Sequence, residues 1–235
     1  MSTAVLIPAY DAAPSVADVV ARARAVLPAV LVVADGSRDG TAEAARAAGA
    51  EVVSHPVNRG KGAALVTGFR ALFARGASRV VTVDADGQHL PEEIPVLVAA
   101  GDAAGADLVL GTRDHLFAGM SGTRRTANRL SSLAISWAAG RSLSDVQTGF
   151  RLYSRRVVEA TGFPEGRFDA ESAVVVRAAR LGFVIATVPV LLAFADGRTT
   201  SHFRPLVDSL RIARGVCRAR FGAPRPWTRS GDVCP

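Results

Sequence analysis

Cysteine is scarce in this chain: Cys217 and Cys234 are the only two in 235 residues. They show no metal spacing and nothing that suggests a secreted disulfide framework. Lysine is scarcer still. Of the 28 basic residues one is a lysine, Lys61, and the others are arginine. Long apolar runs are missing too. The most apolar one, FVIATVPVLLAFA at residues 183–195, is too short to span a bilayer as a helix, and Pro189 splits it. The start, MSTAVLIPAYD, lacks a basic region followed by a long apolar segment, so no signal peptide is expected. A cytoplasmic protein is expected, with peripheral contact at the cytoplasmic membrane face left open.

Glycine is missing where two common nucleotide motifs need it. A dinucleotide site wants GxGxxG after the first strand, and here that strand runs into PAYDAAP. A P-loop wants GxxxxGK followed by Ser or Thr. Gly60-Lys61 is followed by Gly62, and the earlier glycine is lacking. No HExxH, nucleophile elbow or zinc spacing is present.

What the chain does have is a core and a charge. Hydrophobic residues make up 49%, which excludes a disordered polymer, and the net charge of +7 suggests an anionic partner. Nucleic acid would also explain the charge, but it is not the partner expected. The arginines lack interleaved aromatics or a reader motif, and an acidic rim would repel a phosphate backbone.

Short β-branched runs alternate with Ala-rich helical stretches. TAVLIPAY, AVLVVA, EVVS, RVVTVD and DLVLGTR read as strands, with helices between them, one of which opens on Pro14. That order predicts an α/β fold: a mostly parallel sheet with helices on both faces. The near-continuous apolar strands agree, because such strands are buried on both sides. The second half is less regular. SDVQTGFRLYSR predicts a turn and a strand, FDAESAVVVRAARLG a helix, and FVIATVPVLLAF extended structure. A single domain over 1–222 is expected, followed by a tail at 223–235.

In such sheets ligands bind beyond the carboxyl ends of the strands. Polar residues gather there: Tyr10 and Asp11, then Asp35, then His55, Asn58 and Lys61, then Asp84, Asp86 and Gln88, then Arg113. In extended chain, residues two apart point the same way, so Asp84, Asp86 and Gln88 could aim oxygens at one point. Hard oxygen ligands suit Mg²⁺ or Mn²⁺ with substrate phosphates completing the shell. A solvated acidic loop before Pro91 is the equal alternative on this motif alone. In VVADGSRDGT, Asp35 could accept hydrogen bonds from a base or ribose while Asp39 or Thr41 shapes the turn. In HPVNRGKGAAL, the helix start and its cations could meet phosphate, or form a solvated loop shaped by Gly60 and Gly62.

Taken together, VLIPAYD, VVADGSRDGT, HPVNRGKGAAL, VDADGQHLPEEI, VLGTR, SDVQTGFR and FDAES…AARLGF…VPV resemble glycosyltransferase family 2, in its dolichyl- or polyprenyl-phosphate mannose or glucose synthase branch. The resemblance covers about residues 3–205. It implies a GT-A fold, a Rossmann-like α/β/α sandwich that binds a nucleotide sugar. It places Pro8, Ala9, Tyr10, Val33, Asp35 and Ala85 at the nucleotide, and Asp84, Asp86 and Gln88 at the metal and the donor diphosphate. Arg113 would face the phosphates or the sugar, and Asp145 is a sugar- or acceptor-side carboxylate. Arg124 or Arg125 would bind an acceptor phosphate. The chain departs from the family at Ala34, which replaces an acidic residue, and after Tyr10, where Asp11 stands in for a glutamate. Later, DGRTTSHFR leaves Arg198, His202 and Arg204 as phosphate candidates.

The implied reaction is metal-dependent and inverting. It moves a hexose from a nucleotide diphosphate sugar to a polyprenyl phosphate, which needs little help from a base. A hydroxyl acceptor would need one, and Asp145 is the candidate. A noncatalytic nucleotide-sugar-binding scaffold is the alternative of another class. The last helix, PLVDSLRIARGVCRARF, is basic and amphipathic, with Leu206, Leu210, Ala213, Cys217 and Phe221 near one face. Docking of that face on the domain is expected ahead of docking on a membrane.

Overall fold

The computed structural model describes residues 2–112, 132–141, 143, 145–163, 169–193 and 205–222, with side chains described for all but 205–212. Seven strands form one sheet: β1 (Thr3–Ala9), β2 (Val30–Asp35), β3 (Glu51–His55), β4 (Arg79–Thr82), β5 (Leu108–Thr112), β6 (Arg151–Ser154) and β7 (Ile185–Pro189). Their order is β3-β2-β1-β4-β6-β5-β7. Every neighbouring pair is parallel except those made by β6, which runs against β4 and β5.

The helices are α1 (Ala13–Val26), α2 (Thr41–Ala47), α3 (Lys61–Ala74), α4 (Ile94–Ala104), α5 (132–139), α6 (Arg155–Thr161), α7 (Asp169–Arg180) and α8 (Pro205–Phe221). They cover both faces of the sheet, and the strands show why. In β1, Val5 and Ile7 join one core with residues of α1, α2 and α4, whereas Leu6 joins the other with residues of α3, α6 and α7. The alternation repeats in β2 with Val30 and Val32 against Leu31 and Val33. A strand buried on both faces has no polar side to show. Each such Val or Leu contributes roughly 1.5–3 kcal/mol through burial. The layers are close-packed: a Cβ on Gly68 of α3 would come within 2.1 Å of Leu6 on β1.

The expected α/β architecture and its mostly parallel sheet are present, with three differences. The strand in SDVQTGFRLYSR runs antiparallel to its neighbours. Its apolar pattern is that of the other strands, and direction is set by the neighbours it finds. A helix, α6, follows it at once. It was not anticipated because seven residues are too few to show a helical period. Local signals exist: Ser154 caps it by accepting from Val157 N at 3.2 Å, and Arg155 donates to Glu159 at 2.8 Å one turn on. Finally, LPEEIPVLVAAGDA reads as the start of a helix, but Pro91–Glu93 is a 3₁₀ turn and α4 proper starts at Ile94.

Helix α8 docks on α7, but not through the face expected. Val216 and Ala219 are buried, while Ala213, Cys217 and Phe221 are exposed. Arg180 of α7 fixes the end of α8 by donating to the carbonyl of Ala219 at 2.6 Å. Such a bond satisfies a carbonyl that a helix end leaves open. Among the described residues no helix is long and apolar enough to cross a membrane.

Candidate active site

The parallel strands all end on one edge, and the antiparallel β6 begins there. The edge therefore collects Tyr10 and Asp11 after β1, Asp35 at the end of β2, and Asp84 to Gln88 after β4. The turn at 145–150 before β6 joins them. Among the described residues, Asp11 and Asp145 are the non-glycine residues with positive φ, at 45° and 40°. That region is costly for most residues and least so for Asp and Asn, so both turns are held by their surroundings.

Asp35 is buried at 3% exposure, and protein donors take its carboxylate. His55, its register partner on β3, donates through Nδ1 to Oδ1 at 2.6 Å, and His55 Nε2 meets Thr67 Oγ1 at 2.9 Å. Arg59 N donates to Oδ1 at 2.9 Å, and Gly60 N donates to Oδ2 at 2.7 Å. Asp35 was expected to face a base or ribose. In the structure its carboxylate anchors the 57–60 loop. Gly36 closes the same joint, because a Cβ there would lie 2.2 Å from Asn58 N. Asp39 is structural, as expected. Its carboxylate accepts from Ala13 N at 2.9 Å and from Thr41 N at 3.1 Å. Asp11 accepts from Arg38 N at 3.0 Å.

The anchor has a consequence one residue on. Gly60, held by Asp35, has φ 93° and leads directly into α3, whose first residue is Lys61. The Lys61 side chain runs to the middle of the edge. Its Nζ lies 2.7 Å from Asp84 Oδ1 and 2.9 Å from Glu171 Oε2 on α7. Burial disfavours this ammonium, but the two carboxylates outweigh burial and hold Lys61 protonated well above the usual lysine range.

Asp84 is about a quarter exposed, with side-chain exposure of 28%. The backbone around it is clamped from three sides. Thr82 Oγ1 donates to Gly149 O at 2.8 Å, Ser15 Oγ to Ala85 O at 2.6 Å, and Ala193 N to Gln88 O at 3.0 Å. Gly149 is required by packing: a Cβ there would lie 2.2 Å from Asp84 Oδ2. The chain is not extended from 84 to 88, contrary to expectation. It turns at Ala85–Gly87, where Gly87 has φ 76° and Asp86 Oδ1 accepts from Gln88 N at 3.0 Å. The short Asp side chain hydrogen-bonds its own backbone two residues on, and that closes the turn.

Below the edge lies a residue that sequence reasoning gave no role. Arg151 is fully buried and donates to three carbonyls: Thr148 at 2.7 Å, Val146 at 2.7 Å and Glu171 at 2.8 Å. It ties the turn before β6 to the start of α7. Glu171 was likewise unassigned. A charged residue inside the apolar GFRLY run and a buried acid in FDAES were the available signals.

Other expected site residues divide. Pro8, Tyr10 and Asp11 keep surface at the end of β1, and Tyr10 is 38% exposed. Ala9 and Val33 were expected at the nucleotide, but their side chains are packed in the two cores. Ala85 is buried under the turn. Asp145 is 1% exposed. Arg113, Arg124, Arg125, Arg198, His202 and Arg204 lie outside the described residues.

Among the described residues, no three His, Cys, Asp or Glu groups gather to hold a metal by themselves. The site nevertheless fits a hard cation shared with a ligand. Asp84 already takes a cation, the Lys61 ammonium, at contact distance. Asp86 and Gln88 follow it in the same clamped turn. Two carboxylates and an amide oxygen are a donor set for Mg²⁺ or Mn²⁺ when phosphate oxygens supply the remainder.

The family model for glycosyl transferase family 2 matches residues 4–162. The chain belongs to this family. The undecaprenyl-phosphate mannosyltransferase of Micrococcus luteus is 33% identical over 208 residues, which are 81% of this chain and 83% of that one. The polyprenol monophosphomannose synthase of Mycolicibacterium smegmatis is 36% identical over 168 residues, 67% of this chain and 63% of that one. The fold matches glucosyl-3-phosphoglycerate synthase from Mycobacterium tuberculosis, solved with Mn²⁺, UDP and phosphoglyceric acid. The TM-score is 0.72 at 24% identity, over 95% of this chain and 80% of that one. The sheet is thus a GT-A sheet, and this family 2 member is a glycosyltransferase.

Proposed function

We propose that this glycosyltransferase moves a hexose from a nucleoside diphosphate sugar to a polyprenyl phosphate, with Mg²⁺ or Mn²⁺ and with inversion. The reading rests on one observation above the others: Asp84, at the carboxyl edge of a GT-A sheet, holds a cation and keeps a quarter of its surface open. The relatives from M. luteus and M. smegmatis support the lipid phosphate as acceptor.

Asp84, Asp86 and Gln88 would hold the metal, whose positive charge favours departure of the nucleoside diphosphate. Lys61 brings a second positive charge to the same place. Arg113, next in the chain after β5, is assigned to the same diphosphate. A polyprenyl phosphate is already anionic and attacks without a general base. Asp145 is then a positioning group: its carbonyl accepts from Thr148 N at 3.3 Å in the turn that carries Gly149. Catalysis consists of orienting two anions and neutralising the one that leaves.

The test is a transfer assay that pairs GDP-mannose, UDP-glucose and UDP-N-acetylglucosamine with a short polyprenyl phosphate under Mn²⁺, Mg²⁺ or chelator. Metal-dependent lipid product is expected. Donor hydrolysis without lipid product would overturn the acceptor. A donor neither consumed nor bound would overturn the whole reading.

A further inference from the structure

Lys61 is the chain's only lysine, in a protein that uses arginine at every other basic position. It bridges the acid at the mouth of the site, Asp84, and a buried acid behind it, Glu171, at 2.7 and 2.9 Å. The two ends of the bridge differ. Asp84 is partly open, whereas Glu171 is 5% exposed. Glu171 Oε1, moreover, has no hydrogen-bond partner among the described residues and lies 4.0 Å from Arg151 Nε. A buried carboxylate oxygen without a donor is costly. Glu171 therefore has capacity for a further donor hydrogen that Asp84 now receives.

We propose that Lys61 is a resident countercation that gives up Asp84 and moves fully onto Glu171 when a divalent cation takes the Asp84 carboxylate. Glu171 is the positioning residue that makes the exchange possible. Residue type and geometry both support this. An ammonium on a four-carbon stem is a compact point charge with three rotatable donors, and a torsion carries it between two acids. A guanidinium would fix a rigid fork on one of them. The carboxylates at this edge then never face one another unneutralised, because one cation leaves Asp84 only as another arrives. Asp35 fixes the base of the movement through Gly60 N at 2.7 Å, so the side chain moves while its backbone stays.

This inference rests on the proposed divalent cation, and its test separates the two. One lysine gives one side-chain ammonium resonance in lysine-labelled protein. Mg²⁺ is added with GDP or UDP, and binding is measured independently from the free Mn²⁺ signal by electron spin resonance. The expected result is a Lys61 resonance that moves to a second position in step with metal occupancy. Glu171→Gln, which removes the charge from the second seat, should weaken Mn²⁺ at least threefold. Lys61→Met, which removes the competitor, should strengthen Mn²⁺ binding without nucleotide. Metal that binds while the Lys61 resonance stays fixed and both variants match the parent would overturn the exchange alone. No metal binding to the parent protein would overturn the cation, and the exchange with it.

Discussion

Asp35 and Asp84 stand at equivalent places, the carboxyl ends of β2 and β4, and they have opposite fates. Asp35 is enclosed. Backbone amides of Arg59 and Gly60 and the ring of His55 engage both of its oxygens. Asp84 is partly open, and its partners include the tip of a long side chain, the Lys61 ammonium. Backbone donors cannot leave without unfolding the loop, whereas an ammonium can swing away. A carboxylate at a strand end thus serves structure or chemistry according to whether its donors are fixed or movable.

Asp84→Asn should break the chemical end of this comparison and give the largest effect. Turnover should fall on the order of 10³-fold, the scale of losing one preorganised charge contact, with the melting temperature little changed. Steady-state kinetics beside a melting curve checks both halves. Asp35→Asn should do the reverse. Three charge-assisted hydrogen bonds are weakened, so denaturant unfolding should show a loss of about 3 kcal/mol. Residual activity should persist where the protein is still folded.

The buried network around Arg151, which donates to the hydroxyl of the buried Tyr153 at 3.4 Å, can be probed through pH. Burial first of all, opposed by Arg151, pushes the Tyr153 hydroxyl up to about 12. Its neutral form is the one the fold favours. The stabilisation is therefore complete below the ordinary tyrosine value near 10 and is lost as pH rises towards 12. The alkaline fall should be roughly 2–3 kcal/mol shallower in Tyr153→Phe, measured by unfolding at pH 9 and pH 12. Gly149→Ala should have the smallest effect. The new methyl pushes the Asp84 carboxylate aside, so activity should drop on the order of tenfold and Mn²⁺ should bind more weakly, with a modest loss of stability. Unaltered Mn²⁺ binding in this variant would show that Asp84 tolerates displacement.

The sequence made the edge legible because its signals are local. An apolar run followed by Asp reads as a strand end whatever the rest of the chain does, and DADGQ and ADGS both show it. The partners were not legible in the same way. Whether Asp35 is closed depends on Asp35 lying beside His55 in the β2–β3 register and on Gly60 folding back over it. The direction of β6 was hidden because RLYS is apolar like its neighbours, and it is β6 that brings Gly149 under Asp84. Glu171 shows in the sequence as one residue of a helix and of the FDAES stretch, with no role of its own. Its role comes from Lys61 reaching it, a contact between the starts of two helices far apart in the chain. On α8, spacing alone put Ala213, Cys217 and Phe221 inside, whereas Val216 and Ala219 are the buried residues.

The contrast between a closed and an open carboxylate is tested most directly by titrating Mn²⁺, with GDP or UDP present, into the parent protein, Asp35→Asn and Asp84→Asn. Free Mn²⁺ is read by electron spin resonance at a temperature where all three are folded. The parent and Asp35→Asn should bind the ion, and Asp84→Asn should not. Equal binding by Asp84→Asn, or its loss in folded Asp35→Asn, would contradict the assignment of the cation to the end of β4.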